Sequence, residues 1–276
     1  TGNVTDKRLI NLGIGSDVEP WGLTFHDSGS RTFVTDMHKD TVVEVDADGD
    51  QITGEFHTGV APRDVAVANG KLYVSDTGKH QISEKGTTYD YTRAEGPGSV
   101  SIFDAESGEV IKSILFVFDD GKADSSTDTV DVERTTGPRL LAVNDDESRV
   151  FVALGGANEL AIIDTDTDSV TAKLDTEGTD PRDMAVVDDH VLMSNFGSGT
   201  VSVFDVGASP PELSEVVDVD QNPWGIDAAG DIAVVANWSG STNDLGSVSV
   251  IDLTDFSVET HTVESPSDGG PWGVAN

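Results

Sequence analysis

Short runs in which apolar and polar residues alternate follow one another along the chain, separated by turn residues. Such a period of two belongs to strands, and no stretch carries the three-to-four spacing of an amphipathic helix. The runs obey a repeated grammar. A proline opens each unit: Pro20-Trp21-Gly22-Leu23, Pro62-Arg63-Asp64-Val65, Pro138-Arg139-Leu140-Leu141, Pro181-Arg182-Asp183-Met184, Pro223-Trp224-Gly225-Ile226 and Pro271-Trp272-Gly273-Val274. After each of the first five, a first run leads through a tight turn such as Asn69-Gly70 into a β-branched run. That second run closes on Asp36, Asp76, Asn195 or Asn237, and in the third copy on Leu154. A third run ends on Asp46, Asp104, Asp164, Asp205 or Asp252, and a more polar fourth run completes the unit.

Four short strands repeating about every 42 residues predict an all-β fold, a β-propeller of four-stranded blades. A blade cannot bury both its faces alone, so blades stack side by side. The expected organisation is one propeller domain over residues 1–276, with blades starting near 20, 62, 138, 181 and 223. A further, incomplete blade is shared by 1–19 and 271–276, where Arg8–Leu12 reads as an outer strand and Gly273–Asn276 as an inner one. Five complete blades plus two terminal strands are expected to be a piece of a six- or seven-bladed protein.

Charge changes the picture next. Among 276 residues, 51 are acidic and 16 are Lys or Arg, giving a formal net charge of -35. A nucleic-acid partner is excluded by the lack of a basic stripe. Disorder is excluded by the regular apolar positions. The acids are 36 Asp and 15 Glu against 8 Lys and 8 Arg. At molar salt the screening length falls to about 3 Å, so the self-repulsion of such a surface largely disappears. The composition resembles that of proteins from extreme halophiles. With no cysteine, disulfides and thiolate chemistry are excluded. No apolar run approaches the roughly 20 residues of a membrane helix, so no membrane span is expected.

The strings Pro181-Arg182-Asp183-Met184-Ala185-Val186 and Leu192-Met193-Ser194-Asn195-Phe196-Gly197-Ser198-Gly199-Thr200-Val201-Ser202-Val203-Phe204-Asp205 resemble the YVTN-type β-propeller repeat of archaeal surface-layer and other exported proteins. The resemblance runs over nearly the whole chain and implies an extracellular or cell-surface protein. It is specific for fold and says little about function, because related propellers also occur among enzymes and redox proteins.

Three insertions break the repeat: 77–98, 119–137 and 238–245. All fall between the second and third strands of a blade or between blades, which places them on one face of a propeller. The residue after each repeat proline belongs to the same face, and the set is Trp21, Arg63, Arg139, Arg182, Trp224 and Trp272. Guanidinium groups and indoles there suit an anionic or glycan-like ligand through charge-assisted bonds and stacking. The competing role is ion pairing between blades, with Asp64, Asp183 or other acids. Within the longest insertion Tyr89, Tyr91 and Arg93 bring the residue types enriched at interfaces.

Asp36, Asp76, Asn195 and Asn237 offer oxygen ligands for Ca²⁺ if they converge on a channel, as in lactonase-type propellers, or else serve as turn residues. Asp46-Ala47-Asp48-Gly49-Asp50 and Asp164-Thr165-Asp166-Thr167-Asp168 look like the start of a calcium loop but sit where the repeat demands a hairpin. Asp119, Asp120, Asp124, Asp128 and Asp131, in an irregular insertion, are a better cation site than either string, or else a solvated linker. His38 and His80 follow comparable strands without any metal-ligand spacing. The expected function is a binding or scaffold propeller that engages a glycan, a protein or a cell-wall partner through its inserted face. The alternative is a lactonase- or lyase-like enzyme using a divalent cation.

Overall fold

The computed structural model describes residues 19–26, 29–46, 51–84, 88–94, 98–116, 137–238 and 246–263, with side chains of 79–97 outside the description. Its elements are strands throughout. The first blade comprises β1 (Pro20–Phe25), β2 (Arg31–Asp36), β3 (Thr41–Asp46) and β4 (Gln51–His57). The second comprises β5 (Pro62–Ala68), β6 (Lys71–Asp76), β9 (Gly98–Asp104) and β10 (Val110–Phe116). Between β6 and β9 the chain makes a separate two-stranded hairpin, β7 (Lys79–Glu84) and β8 (Thr88–Ala94). The third blade holds β11 (Pro138–Val143), β12 (Arg149–Leu154), β13 (Glu159–Asp164) and β14 (Ser169–Asp175). The fourth holds β15 (Pro181–Val187), β16 (His190–Asn195), β17 (Thr200–Asp205) and β18 (Glu212–Asp218). The fifth holds β19 (Pro223–Ala229), β20 (Ile232–Asn237), β21 (Gly246–Asp252) and β22 (Val258–Val263). Each blade is an antiparallel meander, so the expected propeller of four-stranded blades is the observed fold.

The chain divides into two compact units, Thr1–Gly137 with the first two blades and Pro138–Asn276 with the other three. The five blades begin at the repeat prolines. Arg8–Leu12 and Gly273–Asn276 lie outside the described residues. The hairpin β7–β8 fills the 77–98 insertion, which the repeat marks only as a break in its spacing.

Packing follows the period of two. In the first unit Phe33, Val42, Val65, Leu72, Val74 and Phe103 bury together between two blades, with Phe56 6.1 Å from both Phe33 and Phe103. In the second unit Phe151, Leu160, Ile162, Met193 and Phe204 join the third blade to the fourth. Leu192, Val201, Val203, Ile226, Val235 and Ile251 join the fourth to the fifth. Each cluster draws residues from two blades, which is why an isolated blade would leave an apolar face in water. Backbone contacts reinforce the seam. The Thr35 hydroxyl donates to the Arg63 carbonyl at 3.2 Å, and the equivalent Ser194 hydroxyl donates to the Trp224 carbonyl at 2.9 Å. Gly22 is required at the first of these seams, since a Cβ there would lie 2.6 Å from the Asp64 Cα.

Candidate functional site

One register irregularity recurs in every blade and sets the site. Each repeat proline pairs with the last residue of the second strand: Pro20 with Asp36, Pro62 with Asp76, Pro138 with Leu154, Pro181 with Asn195 and Pro223 with Asn237. Immediately after the proline the register shifts by a bulge. In the second to fifth blades the extra residue is Arg63, Arg139, Arg182 or Trp224, and in the first the bulge spans Trp21 and Gly22. A bulged residue has no partner opposite it and its side chain is re-aimed. The post-proline set is thus held by a backbone device rather than by loop placement. Proline tolerates this position because it opens an edge strand, where a missing N–H breaks no ladder.

The residue before the proline is left-handed in four copies, at Ala61, Gly137, Asp180 and Asn222, with φ between 45° and 56°. This is an uncommon conformation for a residue other than glycine, especially before proline. Its result is a carbonyl turned back toward the end of the second strand. The Asp180 carbonyl accepts the Phe196 amide at 3.0 Å and the Asn222 carbonyl accepts the Trp238 amide at 3.0 Å. Asn222 Nδ2 also donates to the Trp238 carbonyl at 3.1 Å.

In the second unit these devices assemble a cluster. The Asp180 carboxylate is shared by two arginines from neighbouring blades, Arg182 Nη2 at 2.6 Å and Arg139 Nη1 at 3.2 Å. The Arg182 guanidinium lies 4.9 Å from the Trp224 ring and 5.0 Å from the Phe196 ring. Phe196 meets Trp224 edge to face at 5.5 Å and stacks with Trp238 at 6.1 Å, while Trp224 and Trp238 are 6.2 Å apart. Arg139 folds across Gly155, where a Cβ would approach its Cδ to 2.6 Å. Arg139, Asp180, Arg182, Phe196, Trp224 and Trp238 are all half-buried. They sit at one end of their sheets: strand starts, second-strand ends and the connection between blades. In the first unit the corresponding pair is Trp21, 45% exposed, with the Arg63 guanidinium 4.3 Å above its ring.

Arg139 and Arg182 therefore do meet at an ion pair, through Asp180, and Arg182 also joins an aromatic group. Neither Asp180 nor the Phe196 and Trp238 rings figure in the sequence expectation. The signal was present in the repeat: Asp180 precedes a repeat proline, and the two rings follow the last residue of a second strand. Trp272 lies outside the described residues. Tyr89, Tyr91 and Arg93 are placed on β8, and their side chains are outside the description.

Asp36, Asp76, Asn195 and Asn237 are buried. Asp76 Oδ2 accepts the hydroxyls of Ser99 and Ser101 at 2.9 and 2.6 Å. Asn195 Nδ2 donates to Thr200 Oγ1 and Ser202 Oγ at 3.1 and 2.7 Å, and Asn237 Nδ2 to Ser247 and Ser249 at 3.1 and 2.9 Å. Asp36 Oδ1 accepts the amides of Glu19 and His38 at 3.1 and 3.2 Å. In the third blade the fully buried Leu154 takes the slot, and the facing third-strand residues are Glu159 and Ala161 instead of a hydroxyl pair. The side-chain hydroxyl pair is thus absent where the second strand ends on Leu154. Each residue thus bonds within its own blade, while Asp76 Oδ1, Asn195 Oδ1 and Asn237 Oδ1 are buried without a hydrogen-bond partner; among the described residues no group of three His, Cys, Asp or Glu side chains is placed to hold a metal.

Two buried carboxyls are electrostatically unusual. Burial pushes Asp76 up to about 7, only partly offset by its bonded hydroxyls. Burial also raises Asp183 to about 6, against the bonds it accepts from the Ile226 and Met184 amides, and the nearby Asp227 adds repulsion. The exposed turn acids behave oppositely. Asp164 Oδ1 accepts the Thr167 amide and hydroxyl at 2.9 and 2.7 Å, which lowers its pKa and fixes the β13–β14 hairpin. The Asp164–Asp168 string is a turn held by its own aspartate. Residues 47–50 and 117–136, with their acidic groupings, and His80 lie outside the described side chains, while His38 borders Asp36 through its amide.

Comparison with known proteins places the fold. No family model matches the chain, and no curated protein sequence matches it. Among solved structures, hydrazine synthase of Kuenenia stuttgartiensis superposes with a TM-score of 0.67 at 17% identity, over 97% of this chain and 71% of that one. A functionally unknown protein from Desulfotomaculum acetoxidans gives 0.64 at 12% identity, over 91% of this chain and 71% of its own. The WD40 repeats of RRP9 give 0.64 at 12% identity, over 90% of this chain and 64% of theirs. At these identities the likeness is one of architecture, and the chain is a β-propeller.

Proposed function

We propose that this is a binding or scaffold propeller of an exported or cell-surface protein that works in concentrated salt. It engages a glycan or protein partner through the strand ends that carry the bulged arginines and tryptophans. The observation that carries the reading is the half-exposed group of Arg139, Asp180, Arg182, Phe196, Trp224 and Trp238. Indole and guanidinium groups are the residue types that dominate binding energies, and here bulges and left-handed turns preorganise them. The lactonase-like alternative would draw on Asp36, Asp76, Asn195 and Asn237, each of which already spends part of its side chain on bonds inside its own blade. The acidic composition supports the high-salt setting. The resemblance to YVTN-type repeats supports the archaeal, surface-layer placement.

The test is retention of the purified protein on immobilised cell-envelope material in molar salt. Wild type should be held, and Trp224→Ala should weaken retention about tenfold, as expected for an anchor residue. Equal retention of the two, with Trp224→Ala folded by near-ultraviolet circular dichroism, would move the binding site elsewhere.

A further inference from the structure

We infer that the outer strand of the second blade, β10, is a docking edge for a second copy of this chain, with the two β10 strands pairing antiparallel across a two-fold axis. The inference goes beyond the binding site above and does not depend on it.

Composition is the first argument. Each blade ends on an outer strand, and four of these carry acid: Glu55 on β4, Asp175 on β14, Glu212, Glu215 and Asp218 on β18, and Glu259 on β22. Charge on an edge strand is a common guard against pairing with another chain. The sequence of β10 is Val-Ile-Lys-Ser-Ile-Leu-Phe, without an acid in a chain that has 51. Val110, Ile111 and Leu115 on this strand are 66%, 44% and 62% exposed, whereas β4 and β22 each expose one large apolar side chain, Ile52 and Val258. β10 is the last strand of its sheet, with β9 its one neighbour among the described strands. An apolar, uncharged edge of this kind is a template for a further strand.

Self-complementarity is the second argument, and it names the occupant. Setting β10 on its copy with Ser113 opposite Ser113 places Lys112 against Ile114 and the exposed Ile111 against the exposed Leu115. No like charges meet. The same operation on β18 would set Glu215 on Glu215 and Glu212 on Asp218, and like charges directly opposite each other destabilise a strand pair. Each copy carries a formal charge of -35, so encounter is opposed in dilute buffer and allowed at molar salt, where the screening length is about 3 Å. A strand-to-strand edge is smaller than a standard interface, so the pair should be weak and concentration-dependent. A two-fold contact of this type closes on itself and stops at two copies.

Sedimentation velocity in molar salt, with protein from about 1 to 100 μM, tests the inference. A monomer–dimer equilibrium should appear, and Leu115→Lys, at an exposed position, should weaken it at least about tenfold with the melting temperature unchanged. The chain has no cysteine, so a single introduced thiol reports the contact without altering the core. Ser113→Cys should link to its copy under mild oxidation in molar salt, and Thr262→Cys, on the exposed outer strand β22, should stay unlinked. A monomer throughout the concentration range would overturn the inference. So would open-ended larger species, or a dimer in which both cysteines link equally and Leu115→Lys has no effect.

Discussion

Asp180 holds Phe196 and Arg182 with different parts of itself: its backbone carbonyl takes the Phe196 amide at 3.0 Å and its carboxylate takes Arg182 Nη2 at 2.6 Å. One left-handed residue before a proline thus fixes a ring and the cation that lies 5.0 Å from it. The expected effect of Asp180→Ala is a loss of about 1–2 kcal/mol in unfolding free energy, modest because the ion pairs are partly exposed. Asp180→Asn should lose less than half of that. Denaturant unfolding in molar salt measures both, and a larger loss for Asn than for Ala would contradict this role.

Asp76 and Asp183 predict a pH dependence of opposite sign to that of ordinary salt-bridged carboxylates. Their folded pKa values, about 7 and about 6, lie above the unfolded value of 3.8. The folded state therefore binds more protons than the unfolded one between pH 4 and 7, and stability falls as pH rises through that window. Asp76→Asn should be more stable than wild type at pH 8, on the order of a few kcal/mol, with the gap closing toward pH 4. The second strands of the fourth and fifth blades already carry Asn195 and Asn237 at this place, bonded to the same kind of hydroxyl pair. A gap that stays constant with pH would show that the Asp76 carboxyl is not held in its neutral form.

The propeller was legible in the sequence because period-two alternation, the repeat proline and the closing Asx all recur at fixed positions. The site was legible only in part. Trp21, Arg63, Arg139, Arg182 and Trp224 could be set in one register, but the bulge that aims them depends on counting cross-strand pairs. Asp180 looks like any linker acid until its φ of 56° and its two arginine partners are seen. Asp36, Asp76, Asn195 and Asn237 read as metal ligands or turn residues, because the strand pairing that brings Asp76, Asn195 and Asn237 against third-strand hydroxyls shows only in the sheet register. A sharper clue lay in the third blade, where Leu154 and Ala161 change together. The β7–β8 hairpin stayed hidden because it falls in an insertion to which the repeat grammar assigns no strand.

The charge excess predicts salt-dependent stability. With 51 acidic residues against 16 basic ones, self-repulsion opposes folding in dilute buffer and is screened at molar salt. The melting temperature should rise steeply between the two, most at the low-salt end where screening changes fastest. A melting temperature independent of salt would remove the halophilic part of the proposal.

The most direct test of where this protein binds uses its four tryptophans. Their indole N–H resonances, assigned by single Trp→Phe variants in molar salt, report separately on Trp224 and Trp238 in the cluster, on Trp21 beside Arg63 and on Trp272. Titration with solubilised cell-envelope material should move the Trp224 and Trp238 signals together, with one saturating affinity, and leave Trp21 unmoved. Movement of Trp21 or Trp272 alone, with Trp224 and Trp238 unchanged at saturation, would contradict the assignment of binding to this cluster.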